Sequence, residues 1–202
     1  MGCINLRTFP LSVFITLALA ASGCSKAPAE PDRPASAAST QAPTVPPLRY
    51  EAPGAWATMD PPKTGPKKAI FKATKAGDDK EEADVEVYFF GTGAPGDPEK
   101  HFNEWFEQFD GNVGATAKRE KFSVGSLECE TVEVAGTYKI ALAPPVGPKK
   151  RIPMQMVKND FRLIGAVVKT PDRGNWFFKM VGPNETVQSA SGAFRAMLES
   201  AK

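Results

Sequence analysis

The clearest periodicity in the chain is helical. Phe102, Trp105, Phe106 and Phe109 stand at i, i+3, i+4 and i+7 with polar or charged residues between them. That spacing puts four aromatic rings on one stripe of an amphipathic helix. Asp97 offers an N-cap, Pro98 suits the first turn, and Gly111 supplies a stop. A second helix is predicted from about Asn184, with Val187, Phe194 and Leu198 along one side. Asn184-Glu185-Thr186 also fits a glycosylation sequon, but a residue of this kind at a helix start is expected to act as its cap.

Elsewhere the pattern is that of strands. Leu48 to Ala52 alternates, ahead of a Pro53-Gly54 turn and Trp56. Ala69 to Ala73 and Asp84 to Phe90 predict a hairpin joined by the acidic turn Gly77 to Glu82. Strands are also expected at Lys121 to Val124 and Cys129 to Lys139. Ala143 to Asp160 is rich in Pro, Gly and Lys and reads as a long excursion. Phe161 to Lys169 and Asn175 to Val181 are nearly continuous apolar runs around Pro171-Asp172-Arg173-Gly174. Such runs predict strands buried on both faces. On the second of them Trp176 and Phe178 face one way and Phe177 the other, because strand side chains alternate. Two-sided burial needs a layer on each side, and two amphipathic helices supply it. The expected class is α+β: a mainly antiparallel sheet of about six or seven strands flanked by two helices.

The N-terminus follows a different logic. Residues 1–23 carry one charged side chain, Arg7, then the apolar run Phe9 to Ala20, then Ala21-Ser22-Gly23 and Cys24. A short basic region, an apolar stretch and small residues make an export signal. The apolar run is shorter than the roughly 20 residues a bilayer span requires. Ala21-Ser22-Gly23-Cys24 resembles the lipobox of bacterial lipoproteins, with Ala21 where Leu is commonest. That resemblance implies cleavage between Gly23 and Cys24 and lipid on the Cys24 thiol; the alternative is an ordinary secretory signal with a coincidental cysteine. Met1-Gly2-Cys3 fails the myristoylation pattern, because Leu6 stands where Ser or Thr is needed. Residues 24–47 are Pro, Ala and Ser with scattered charges and no aromatic ring. Such a segment buries too little to fold and reads as a tether that would reach roughly 70 Å if fully extended. Residues 48–202 form one domain's length of chain.

Composition narrows the partners. The whole chain has 25 Lys and Arg against 23 Asp and Glu. Loss of the leader removes only Arg7, leaving 24 basic against 23 acidic residues, so the mature net charge is near +1, which argues against nucleic acid. With Cys24 lipidated, Cys129 is the only remaining thiol, and the domain has no internal disulfide.

Tyr50-Glu51-Ala52-Pro53-Gly54 before Trp56, Asn103-Glu104-Trp105, Gly136-Thr137-Tyr138 and Asn175-Trp176-Phe177-Phe178-Lys179-Met180-Val181-Gly182-Pro183 together resemble a group of uncharacterised bacterial lipoproteins. Their domain is similar to the PsbP/Mog-like fold. The resemblance implies an α/β/α sandwich around an antiparallel sheet. It implies little about activity, since a shared fold does not fix a function.

Candidate chemistry is sparse. Gly91-Thr92-Gly93-Ala94-Pro95-Gly96 spells G-x-G-x-x-G, but Asp97 and Pro98 start the helix after the last glycine. A dinucleotide site needs that helix N-terminus for pyrophosphate, so a flexible connection is the better reading. His101 is the only histidine and is expected at the surface beside the aromatic stripe; Cys129 is expected to be a buried inert thiol. Asp78, Asp79, Glu81, Glu82 and Asp84 lack EF-hand spacing and read as a solvated hairpin tip. Met154 and Met156 are expected to pack rather than to bind copper. No catalytic residue, metal site or cofactor is assigned. Lys149-Lys150-Arg151, inside the Pro-rich excursion, is the one local basic cluster and the preferred interaction surface. The expected function is therefore a lipid-anchored, non-catalytic accessory or binding domain that meets another envelope component. The competing expectation is an enzyme or small-ligand carrier whose site forms only in three dimensions.

Overall fold

A computed structural model describes residues 47–92, 96–143, 154–171 and 173–202. Seven strands form one antiparallel sheet: β1 (Ala57–Met59), β2 (Lys67–Ala73), β3 (Ala83–Phe89), β4 (Lys118–Val124), β5 (Leu127–Ala141), β6 (Gln155–Thr170) and β7 (Gly174–Pro183). Their spatial order is β1-β2-β3-β7-β6-β5-β4. Two helices, α1 (Pro98–Phe106) and α2 (Asn184–Glu199), accompany them. The last two strands in sequence are thus inner strands of the sheet, as their apolar runs predicted.

β7 shows why. Phe177 and Phe178 are both fully buried, in different apolar clusters. Phe177 packs with Phe102, Trp105, Phe106 and Phe109 from α1 and the turn after it. Phe178, Trp176 and Met180 pack with Val187, Phe194 and Leu198 of α2. Consecutive strand residues point to opposite faces, so alternation alone assigns each ring to its helix. Opposite Lys179 on β6 lies Gly165, where a Cβ would run into the Trp105 ring. A bare backbone at that position lets α1 sit close to the sheet.

The second helix differs from expectation at its start. Asn184 is not a cap: its Oδ1 accepts from Arg162 Nε at 2.7 Å. The capping group comes from the acidic turn between β2 and β3 instead. Asp79 Oδ2 accepts from Thr186 N at 2.7 Å and from Thr186 Oγ1 at 2.8 Å. Ala76 N donates back to Thr186 Oγ1 at 3.1 Å. A carboxylate at a helix N-terminus meets free N–H groups and the positive end of the helix dipole. The turn read as a solvated tip is partly docked for that reason.

Other boundaries move for physical reasons too. α1 is capped by Asp97, whose side chain accepts from Glu99 N at 3.0 Å, but it stops at Phe106 rather than at Gly111. The β4 pairing covers β5 only from Leu127 to Glu133. Beyond that, Gln108, Phe109 and Asp110 leave the helix to satisfy the rest of the β5 edge, through Lys139 N to Gln108 O (2.7 Å) and Asp110 N to Thr137 O (2.9 Å). Leu48 to Ala52 is not a sheet strand. It runs beside the C-terminus, with Arg49 and Lys202 exchanging backbone hydrogen bonds of 3.0 and 2.9 Å. The expected excursion ends earlier than the sequence implied, because β6 already begins at Gln155 and its residues Gln155 to Lys158 pair with Tyr138 to Ala141.

Both rings of β7 can be tested in one experiment. Phe177→Ala and Phe178→Ala should each lower stability by about 3–5 kcal/mol, the usual cost of deleting a buried ring. Equilibrium unfolding in urea measures both. A variant that unfolds at the midpoint of the parent would show that its face is not closed.

Candidate functional site

β7 brings one charged side chain into the apolar interior. Lys179 is 6% exposed. Its Nζ donates to Gln108 Oε1 at 2.7 Å and to Tyr138 Oη at 3.3 Å. Tyr138 Oη in turn donates to Gln108 Oε1 at 2.8 Å. Both partners are neutral. The nearest carboxylate across the strand, Glu86, is Lys179's register partner on β3, yet it is engaged by the Lys67 ammonium and the Tyr88 hydroxyl. Burial pushes the Lys179 ammonium down to about 8, with Glu86 and Asp84 pulling the other way and Lys67 adding to the depression. Burial also pushes the Tyr138 phenol up to about 12 and raises that of Tyr88, which donates to Glu86.

Two adjoining clefts of about 240 and 410 Å³ open beside this lysine, and Glu104, Gln108 and Lys179 line both. The smaller has an aromatic wall. Phe90 stacks on His101 with centroids 4.6 Å apart, and His101 lies 4.4 Å from the Phe177 ring. His101 is therefore packed between rings, with a side chain only 16% exposed, and not the surface residue its sequence position suggested. Its Nδ1 lies 3.3 Å from Glu104 Oε2 at the mouth. Phe90 remains 39% exposed. The larger cleft continues past Tyr138 and Ile140 toward Gln155. A third cleft of about 270 Å³ lies beside α2. Its charges are already matched, Arg195 with Glu120 and Glu199, Lys118 with Glu133.

A second feature lies where β5 and β6 run past the core. The register shifts between Gly136 and Tyr138, and Asp160 opposite adopts φ +55°, left-handed for a non-glycine residue. An irregularity of this kind bends a hairpin and re-aims it. Beyond it Leu142 (49%), Met154 (61%), Met156 (41%) and Val157 (56%) are exposed. The two methionines expected to pack are thus open. Met156 pairs with Ile140, and Leu142 N donates to Met154 O at 3.0 Å. Alternation along the ladder puts Leu142, Met154 and Met156 on one face of a two-stranded arm and Val157 on the other.

Gly23, Cys24 and Lys149-Lys150-Arg151 lie outside the described residues; the basic cluster falls in the segment that joins the two strands of the arm. Of the glycine motif, Gly93 to Pro95 lie outside as well. Gly96 holds Asn175 Nδ2 on its carbonyl at 3.1 Å, and a Cβ on it would press on the Phe177 ring at 3.0 Å, so it serves packing. Asp97 already occupies the α1 N-terminus that a phosphate would need. The acidic residues of the β2–β3 turn go to separate partners, Asp79 to α2, Glu81 to Lys158 and Asp84 to Lys72. Among the described residues no three His, Cys, Asp or Glu side chains gather as a metal site. Cys129 is fully buried, and its thiol is pushed up to about 12, chiefly by burial. Gln108 was not singled out from the sequence, and Tyr138 and Lys179 entered only through the motifs of the family resemblance, not as site residues. The available signal was one lysine inside the run Trp176 to Val181.

No family model and no curated protein matches the chain. Among solved structures it is similar to the solution structure of a cyanobacterial PsbP, CyanoP, from Synechocystis sp. PCC 6803. That similarity has TM-score 0.42 and 10% identity over 77% of this chain and 85% of that one. It is also similar to a protein of unknown function from Pseudomonas aeruginosa, with TM-score 0.40 and 10% identity over 73% of this chain and 96% of that one. Likenesses of this size carry nothing about activity.

The buried lysine has a thermodynamic signature. Its folded value of about 8 lies below that of an unfolded lysine, so the unfolded chain binds more protons between those two values and stability rises with pH there. Above about pH 10 the buried phenols act in the opposite sense, since the unfolded chain ionises them first. Lys179 should thus contribute roughly 2 kcal/mol of added stability between pH 8 and 10. Urea midpoints across that range should climb less in Lys179→Met than in the parent. Parallel curves would show that the ammonium is not desolvated.

Proposed function

We propose that the chain is a lipid-anchored envelope lipoprotein, cleaved before Cys24. Its α/β/α domain of the PsbP/Mog kind serves as a non-catalytic docking module for another envelope protein. The observation that carries the docking reading is the arm: Leu142, Met154 and Met156 are open to water together on one of its faces, and Val157 is open on the other. Exposed apolar side chains gathered in one place mark interaction surfaces more often than isolated ones do. Lys149-Lys150-Arg151 follow in sequence between those strands, which suits a partner face of apolar patches rimmed by carboxylates. The anchor reading is supported by the residues before Cys24 and by the Pro/Ala/Ser-rich stretch after it. No helix among the described residues is long and apolar enough to cross a membrane, so a lipid would be what holds this part of the chain there.

Cells expressing the full chain with a photo-crosslinking residue at Met156 test both halves. The expected result is one discrete adduct with an envelope protein, weakened by Leu142→Ser with Met154→Ser, together with palmitate labelling that Cys24→Ser abolishes. Adducts only to lipid, or a ladder of unrelated proteins, would overturn the docking reading. Palmitate labelling that survives Cys24→Ser would overturn the anchor.

A further inference from the structure

We propose that the α1-side cleft is a binding site for a small monocarboxylate with an apolar body, the carboxylate reaching Lys179 and the body lying against Phe90 and Phe177. The first support is a charge left without a counter-ion. Lys179 is all but buried, its two side-chain partners are neutral, and Glu86 across the strand is committed to Lys67 and Tyr88. A buried ammonium without an anion is costly, and an anion delivered in a low dielectric is worth more than one in water. Two of the three ammonium donors are used by Gln108 and Tyr138, which leaves one.

The second support is shape. The clefts that share Lys179 approach the size of small-molecule sites, a few hundred Å³. Phe90 is half open in a wall that also contains His101 and Phe177. Aromatic walls with one convergent charged donor are the usual composition of such a site. The charged groups that face Lys179 from each packed element are Glu86 and Asp84 on β3, Lys67 on β2, the Tyr138 phenol on β5 and Glu104 on α1. Asp84 pairs with Lys72. Glu104 is half exposed at the mouth and lies against His101. Glu107 and Lys139 line the outer part of the larger cleft, Glu107 open to water and Lys139 paired with Asp110, so the charge left without a counter-ion at the buried end is positive. The aromatic end of the site, at Phe90 and Phe177, holds no residue of the arm, although the larger cleft runs on to Ile140 and Gln155, and loss of carboxylate binding there would leave the docking reading untouched.

The test uses benzoate and hexanoate as probes, with benzamide as the uncharged control, followed by protein-observed NMR at pH 7. The expected result is saturable shifts at Phe90, His101 and Lys179 for both carboxylates, with benzamide at least about tenfold weaker. Lys179→Met should lose carboxylate binding by a similar factor. Phe90→Ala should weaken both probes while keeping the preference for charge, so the idea stays testable if Lys179→Met folds poorly. Affinity should fall with rising pH above about 8 as the ammonium of Lys179 is lost. Shifts scattered over surface lysines, equal binding of benzamide, binding unchanged in Lys179→Met, or no saturable shift up to concentrations on the order of 10 mM would each overturn it.

Discussion

The structure depends on β7 being covered on both faces. A strand with no wet side cannot alternate apolar with polar, so almost every residue from Trp176 to Val181 must be apolar, and each must find its own layer. Phe177 and Phe178 divide the core between α1 and α2 by alternation. Gly165 on the neighbouring strand makes room for Trp105. The β2–β3 turn docks on the first turn of α2 because that helix has no side-chain cap of its own.

The same constraint makes Lys179 informative. On a strand with one wet face, a lysine is ordinary. Between Phe178 and Met180 on β7 its ammonium must be solvated by protein, and the residues that do so are Gln108 and Tyr138, both neutral. Gln108 is available only because α1 stops at Phe106 and the chain then turns to complete the β5 edge. One early helix end therefore both satisfies the sheet and places a hydrogen-bond acceptor over the buried amine.

Much of this was legible in residue patterns. The α1 stripe, the β2–β3 hairpin, the turn at Pro171 and the two-sided burial of β6 and β7 all follow from period and punctuation. What the patterns missed was set by distant partners. Asn184 looks like a cap, but Arg162 claims its side chain while Asp79, far away in sequence, does the capping. Gln155 to Asp160 look like loop because Lys, Asn and Asp follow Met156 and Val157, yet Gln155 to Lys158 pair with β5 where the core thins to Tyr138 and Ile140. The cleft was invisible for a related reason. Its polar groups come from β7, β5 and the turn after α1, and no local spacing joins them.

A rigid centre and a freer arm on the same two strands give β5 and β6 two kinds of residue. Amides at the core end, from Val132 to Gly136 and from Phe161 to Val168, lie inside the sheet with apolar layers about them. Amides of the arm, at Ala141 and Leu142 and from Gln155 to Val157, are held by one ladder with exposed side chains. Native-state hydrogen exchange separates the two directly, since local opening costs less where few apolar contacts must break. The account predicts that Phe177 to Val181 and the facing β6 amides exchange only through global unfolding, while the arm exchanges through local opening at a clearly lower free energy. Equal protection along the whole of β6 would contradict it, because the arm would then have to be part of the core.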